Sequence, residues 1–263
     1  MTEDRFGPWR IERTLHMGDW ADVIVGVRES EGPTRVAVKR LHRHAVREPE
    51  ALALFEGEGR LTTSLPAHPR VVRGLSHGVE EDRPYLAMGL IEGAPLRASL
   101  GAAMAPARAA AIVSDACEGL AHLHAQGWAH GDLGPANLIL DHDDRATLCD
   151  LGVARAIGAG GPVRGTHAYM APEQVRGEVW TPATDVFALG VVLWELVTGA
   201  RLFFRGASYL TMDAVMTIDP PPLVDDALDA IVRAALAKDA SARTPDPAML
   251  RDQLASFTSG RSR

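Results

Sequence analysis

The stretch His130-Gly131-Asp132-Leu133-Gly134-Pro135-Ala136-Asn137-Leu138 decides how this chain is read, together with Asp150-Leu151-Gly152, which begins thirteen residues after Asn137. A carboxylate, a carboxamide five residues on, and a second carboxylate ahead of a glycine form the outline of a phosphoryl-transfer site. One acid orients a hydroxyl. The amide oxygen and the second acid hold Mg²⁺, a hard cation that takes oxygen ligands.

Toward the N-terminus, Pro106 to Gln126 reads as a long helix that delivers the chain to this stretch. Pro106 sits in its first turn, apolar residues recur at 109, 112, 113, 116, 120 and 123, and Gly127 stops it. Before it, Met88-Gly89-Leu90-Ile91-Glu92-Gly93 follows strand-like runs at Val71 to Val79 and Tyr85 to Met88. Residues 49–65 are helix-like and carry Glu56 and Glu58. Val23 to Val27 and Arg35 to Leu41 alternate as paired strands, with Glu31-Gly32-Pro33 as the turn. In the second of these, Val36-Ala37-Val38-Lys39 sets a lysine among apolar neighbours, so its ammonium needs an acidic partner or a phosphate. His16-Met17-Gly18-Asp19-Trp20-Ala21-Asp22-Val23 lies between strand-like runs, the first being Trp9 to Thr14; residues 1–10 are polar and read as frayed.

Toward the C-terminus, residues 138–140 and 146–149 form a short apolar pair around Asp141-His142-Asp143-Asp144. That cluster has the composition of a metal site, but also that of a polar hairpin tip, the commoner use of such residues. After Asp150-Leu151-Gly152 comes a short Gly/Ala-rich segment and then Gly165-Thr166-His167-Ala168-Tyr169-Met170-Ala171-Pro172-Glu173. Thr184-Asp185-Val186-Phe187-Ala188-Leu189-Gly190 opens an apolar helix ending at Gly199, and residues 225–237 and 247–257 supply two amphipathic helices.

The 263 residues suffice for one large domain or two lobes, and 46% hydrophobic with 23% charged residues is an ordinary globular composition. A net charge of −7 leaves no global basic surface for nucleic acid. Cys117 and Cys149, the only cysteines, sit in apolar contexts that suit core packing. Few cysteines and no apolar leader point to the cytoplasm, and no run reaches the ~18 apolar residues of a membrane span.

With these motifs in hand the chain resembles a bacterial, eukaryotic-like (Hanks-type) serine/threonine protein kinase over almost its whole length. The resemblance implies an α+β, bilobal protein-kinase-like fold, with a small β-rich N-lobe and a larger helical C-lobe. Residues 1–88 would be the N-lobe, a five-stranded sheet plus one main helix; 89–93 the hinge; 94–257 the C-lobe; and 258–263 a flexible tail. It also implies ATP and Mg²⁺ (or Mn²⁺) as cofactors and a protein substrate or regulatory protein partner. The catalytic set would be Asp132, Lys39, Glu58 and Thr166, with Glu56 as the alternative to Glu58. Asn137 and Asp150 would hold the metal. Gly18, Val23, Ala37, Lys39, Met88, Leu90 and Ile139 would bind the nucleotide, Leu90 through its backbone. Thr166 would reach Asp132, Glu173 would pair with Arg243, and Asp185 would bind the backbone of the loop around Asp132.

The chain departs from the family pattern in four places. His16 and Ala21 replace two glycines of the loop over the phosphates, leaving Gly18. Gly131 replaces an arginine that pairs with a phosphorylated segment, and no Ser, Thr or Tyr lies between Asp150 and Gly165. Together these imply activity that is not switched by phosphorylation of that segment. Leu151 replaces Phe and keeps an apolar plug. Gly134 replaces a lysine on the transferred phosphate, for which Arg155 or Arg164 are the candidate substitutes. Two alternatives therefore stand beside an active kinase: a pseudokinase that binds nucleotide or acts as a scaffold, and a small-molecule phosphotransferase, whose H-G-D-L-x-x-x-N loop the stretch also resembles.

Overall fold

In the computed structural model, which describes residues 5–28 and 34–260, the chain divides into two units. The first comprises Met1–Glu92 with Asp150–Gly152, and the second Gly93–Cys149 with Val153–Arg263. The turn expected at Glu31-Gly32-Pro33 lies outside the described residues.

The first unit is an antiparallel sheet with one main helix. Its strands are β1 (Arg5–Phe6), β2 (Trp9–Met17), β3 (Ala21–Arg28), β4 (Thr34–Leu41), β5 (Gly74–Glu80) and β6 (Arg83–Gly89), in the order β1-β2-β3-β4-β6-β5; the helix is α1 (Pro49–Ser64). Six strands replace the expected five, and residues 5, 6, 9 and 10, expected to fray, pair with one another in β1 and β2. The cause is Phe6, which is fully buried. Its ring stacks on Trp9 at 6.1 Å and meets Tyr85 edge-on at 6.4 Å. The guanidinium groups of Arg40 and Arg83 lie 5.2 and 5.6 Å from its centroid. Both arginines hydrogen-bond Asp22, itself only 2% exposed, so the cations over Phe6 are neutralised in part by a buried carboxylate. The charged composition of the first ten residues hid a buried aromatic anchor.

Strand alternation then sorts the sheet into two faces. Phe6, Trp9, Ile24, Val36, Val38 and Ala87 form one core cluster. The residues one step along point the other way, in cross-strand rows Val23–Lys39–Leu86 and Val25–Ala37–Met88. Helix α1 starts with Pro49 in its first turn, where the missing N–H costs nothing. It buries Ala51, Phe55, Glu58, Leu61 and Thr62 at helical spacing and packs on β5 and β6. Burying a side chain such as Phe55 contributes about 1.5–3 kcal/mol. Strand β5 begins at Gly74, not Val71, where a Cβ would lie 2.4 Å from the Thr62 carbonyl oxygen. Glu81 and Asp82, at φ +51° and +60°, make the tight turn into β6.

The second unit carries β7 (Gly93–Pro95), α2 (Pro106–Ala125), β8 (Trp128–Ala129), β9 (Leu138–Asp141), β10 (Ala146–Leu148), β11 (Arg155–Ala156), α3 (Pro172–Val175), α4 (Pro182–Thr198), α5 (Ser208–Thr217), α6 (Asp226–Ala235) and α7 (Pro247–Ser259). Its small sheets run β10-β9-β7 and β11-β8. Helix α4 is buried continuously from Ala183 to Leu196, with α2, α6 and α7 packed on it; Gly199, at φ +70°, ends it in the left-handed conformation that favours glycine. Helix α5 was not anticipated, because it buries only Thr211, Ala214 and Val215 and shows a weak apolar stripe. The expected tail begins too early, since α7 continues through Thr258 and Ser259, whose hydroxyls bond carbonyls one turn back. The expected connector is also shorter: Gly89 still pairs with Val36, and Gly93 already pairs with Asp141. No helix of the described residues is long and apolar enough to cross a membrane.

Candidate active site

In the first unit the charges gather on Lys39. Its ammonium lies 2.8 Å from each oxygen of Glu58 and 3.0 Å from Oδ1 of Asp150. The two glutamates of α1 are thereby told apart: Glu58 is 5% exposed and faces β4, while Glu56 pairs with Arg60 at 3.6 Å in solvent. Burial alone would lower the Lys39 ammonium, but Asp150 and Glu58 outweigh it and hold it above the usual lysine range. Burial, with Asp150 adding to it, pushes the Glu58 carboxyl up against the pull of Lys39. Two carboxylates here face a single ammonium. A divalent cation on Asp150 would offset that surplus. Asp150 has the exposure for it, with 45% of its side chain accessible, and sits at φ +62°, an unusual conformation for a non-glycine residue.

In the second unit the loop after β8 is fastened from below. Asp185 of α4 is 1% exposed and accepts hydrogen bonds from the backbone N–H of His130 at 2.8 Å and Gly131 at 2.9 Å. His124 lies 2.7 Å from the same carboxylate. Burial would raise the Asp185 carboxyl, but the His124 hydrogen bond and charge, His130 and the Gly131 amide hold it below the usual range. His130 is fully buried, with Nε2 3.2 Å from the Cys149 carbonyl. Gln174, which the sequence reading missed, donates from Nε2 to the Gly131 carbonyl at 2.7 Å. Its side-chain oxygen accepts from Ala171 N–H at 2.9 Å, the only advance signal being its place after Glu173.

This frame presents Asp132. Its Oδ1 accepts from the Thr166 backbone N–H at 2.6 Å, and its Oδ2 and carbonyl oxygen accept from Asn137 Nδ2 at 3.2 and 2.7 Å. Thr166 therefore reaches Asp132 through its amide rather than its hydroxyl. Gly165, at φ +111°, permits this approach, because a Cβ there would lie 2.8 Å from Asp132 Oδ1. With the Asn137 amide nitrogen spent on Asp132, its Oδ1 is the atom left for a hard cation.

The structure thus brings Lys39, Glu58 and Asp150 together in one unit, and Asp132, Asn137 and Thr166 together in the other. Val23, Ala37 and Met88 share a sheet face with Lys39, Leu90 follows β6, and Ile139 pairs with Thr147 in β9–β10. Gly18 turns the β2–β3 hairpin, its N–H on the Ala21 carbonyl at 2.9 Å. Two histidines unforeseen from sequence steady that hairpin: His42 and His44, with rings stacked at 5.5 Å, place Nε2 3.0 Å from the carbonyls of Gly18 and Asp19. At Gly134 a Cβ would lie 3.1 Å from the Tyr169 ring. Arg155 does not replace the missing lysine, since its guanidinium bonds the carbonyls of Gly160 and Pro162. The expected Glu173–Arg243 pair forms at 2.7 and 3.0 Å, both side chains buried. Asp141, His142 and Asp143 have ligand atoms within 4.8 Å of one another, yet Asp141 Oδ1 accepts from the N–H of Asp143 and Arg145, the bonding of a hairpin tip.

The family model described as "protein kinase domain" matches residues 9–253, and the chain belongs to that family. Its fold is accordingly the α+β kinase fold of a β-rich and a larger helical lobe, and the family works with ATP and a divalent metal ion. Among its relatives is serine/threonine-protein kinase Pkn1 of Myxococcus xanthus, 33% identical over 95% of this chain and 38% of that protein. Serine/threonine-protein kinase PknJ of Mycobacterium tuberculosis is 34% identical over 89% of this chain and 42% of that protein. PknB of Mycolicibacterium smegmatis is 33% identical over 83% and 38%. The chain spans roughly two fifths of the length of these curated relatives.

Proposed function

We propose that the chain is an ATP-dependent protein serine/threonine kinase that transfers the γ-phosphate of Mg²⁺-ATP to a protein hydroxyl. The observation that carries this is Lys39, whose ammonium is bound by both Glu58 oxygens and by Asp150. A buried ammonium is costly unless paired, and this one is held by two carboxylates, as a lysine that binds phosphate oxygens requires. In this reading Lys39, oriented by Glu58, binds phosphate oxygens, and Gly18, Val23, Ala37, Met88, Leu90 and Ile139 contact the nucleotide. Asp150 and the Asn137 amide oxygen hold Mg²⁺, or Mn²⁺, which supplies charge neutralisation for the phosphates when bound. Asp132 accepts the proton of a serine or threonine hydroxyl, its carboxylate aimed by the Thr166 amide and by Asn137. The proposed setting is the cytoplasm, where ATP is available and the thiols of Cys117 and Cys149 stay reduced.

A second reading, a nucleotide-binding pseudokinase, is favoured by Gly134, which stands where the family has a lysine. Incubation with ATP labelled in the γ-phosphate separates the two. Label on serine or threonine of a protein substrate supports the kinase; nucleotide binding without any transfer leaves the pseudokinase; label only on a small hydroxyl compound sinks both.

A further inference from the structure

Gly131 and Trp180 press on each other. Gly131 has φ +74°, and a Cβ on it would lie 2.1 Å from Cζ3 of Trp180, whose side chain is 1% exposed. The indole N–H has no hydrogen-bond partner, so the ring acts by shape rather than polarity. The backbone of Trp180 is tied to the segment after Gly152: its carbonyl accepts from Gly158 at 2.9 Å and its N–H donates to Ala159 at 3.0 Å. The Arg155 guanidinium lies 4.8 Å from the ring and donates to the carbonyls of Gly160 at 3.0 Å and Pro162 at 3.4 Å. Gly161 makes room for it, since a Cβ there would fall 1.5 Å from Nη1. At its root the segment pairs Arg155 with Ala129, the residue before His130.

One ring therefore touches the loop that carries Asp132 and the segment that runs on to Thr166. Where a side chain at position 131 would stand, an aromatic plate stands instead. No residue from Leu151 to Gly165 offers a hydroxyl for phosphorylation.

We propose that Trp180 is a positioning residue for Asp132: with Arg155 stacked on it, it fixes residues 155–162 and the 130–132 loop against each other without any phosphate on the segment. The consequence for catalysis rests on the kinase reading above; the holding of the segment does not. The two are separable by experiment, because amide exchange reports the holding and phosphate transfer reports the consequence.

The test compares the wild-type chain with Trp180→Phe, Trp180→Ala and Arg155→Met, by hydrogen exchange of the 155–161 amides and by steady-state transfer kinetics. Trp180→Phe removes the partnerless N–H together with the Cζ3–Cη2 edge that faces Gly131, so its exchange and kcat fall between those of wild type and Trp180→Ala. Trp180→Ala frees the amides of Ile157 and Gly158 and lowers kcat by roughly tenfold or more, with the KM for ATP unchanged. Phosphatase treatment of the wild type leaves kcat as it was. Unchanged exchange and kcat in Trp180→Ala, or loss of activity on phosphatase treatment, overturns the proposal. If Trp180→Ala does not fold, Arg155→Met decides: faster exchange across 157–161 supports the strut, unchanged exchange overturns it. If the wild type transfers no phosphate, the kinase reading fails and the exchange results alone decide the role of Trp180.

Discussion

Replacing Arg243 by Met removes the charge of a buried pair while keeping most of its volume. The guanidinium is fully buried and makes two hydrogen bonds to Glu173, at 2.7 and 3.0 Å. It also donates to the carbonyls of Ala183 at 2.8 Å and Ala237 at 3.0 Å. Its stem and head pack on Phe187, 5.0 Å from the ring centroid, a contact that methionine partly preserves. What remains is a carboxylate, 5% exposed, with no cation beside it. Stranding one partner of a buried pair costs about 3–5 kcal/mol. For a domain of this size that is roughly a 6–20 °C fall in Tm. Urea denaturation followed by tryptophan fluorescence measures it. Adding Glu173→Gln should recover part of the loss, because a neutral amide is cheaper to bury than a lone carboxylate. An Arg243→Met variant within about 1 kcal/mol of wild type, or a double variant as unstable as the sum of the singles, would refute the reasoning.

Three further expectations follow from other groups. Lys39→Met should weaken ATP binding in the presence of Mg²⁺ and lower kcat/KM by about 10²-fold or more, measured by calorimetry and transfer kinetics; unchanged binding would remove Lys39 from the phosphate site. Asp22→Ala removes the buried carboxylate that Arg40 and Arg83 share beside Phe6, so a loss of up to about 3–5 kcal/mol is expected, and a neutral result in urea would show that the triad contributes nothing. Burial lowers the Lys238 ammonium to about 8, against Asp219 and with help from Arg243. An unfolded lysine titrates near 10.4, so between about pH 8 and 10.4 the unfolded chain holds more protons and this group makes stability rise with pH. The stability difference between wild type and Lys238→Met should therefore grow in favour of wild type from pH 8 to pH 10, and a flat difference would contradict the assignment.

Much of the fold was legible because its signals are local. Pro106 at a helix start, Gly127 and Gly199 at helix ends, and alternation in β3 and β4 act within a few residues, and each stands where expected. The contact of Asn137 with Asp132 was legible for the same reason, since the two lie five residues apart on one loop. What failed was long-range. Phe6 looked like part of a polar end because its partners, Trp9, Arg40, Arg83 and Tyr85, lie up to a whole sheet away in sequence. The choice between Glu56 and Glu58 needed the phase of α1 against β4, which periodicity alone leaves open by one turn face. Gln174 and Trp180 were invisible because each acts on Gly131 across dozens of residues, one by an amide and one by shape. Helix α5 was missed because it buries too little for an apolar stripe to appear.

The central claim is that Asp132 serves as proton acceptor in phosphate transfer to a protein. The most direct measurement is transfer of labelled γ-phosphate by wild type and Asp132→Asn at saturating Mg²⁺-ATP, with nucleotide binding measured in parallel. Wild-type transfer, a fall of roughly 10²–10⁴-fold in the variant and unchanged nucleotide affinity are expected. Equal transfer by both, or binding without transfer in the wild type, would contradict it.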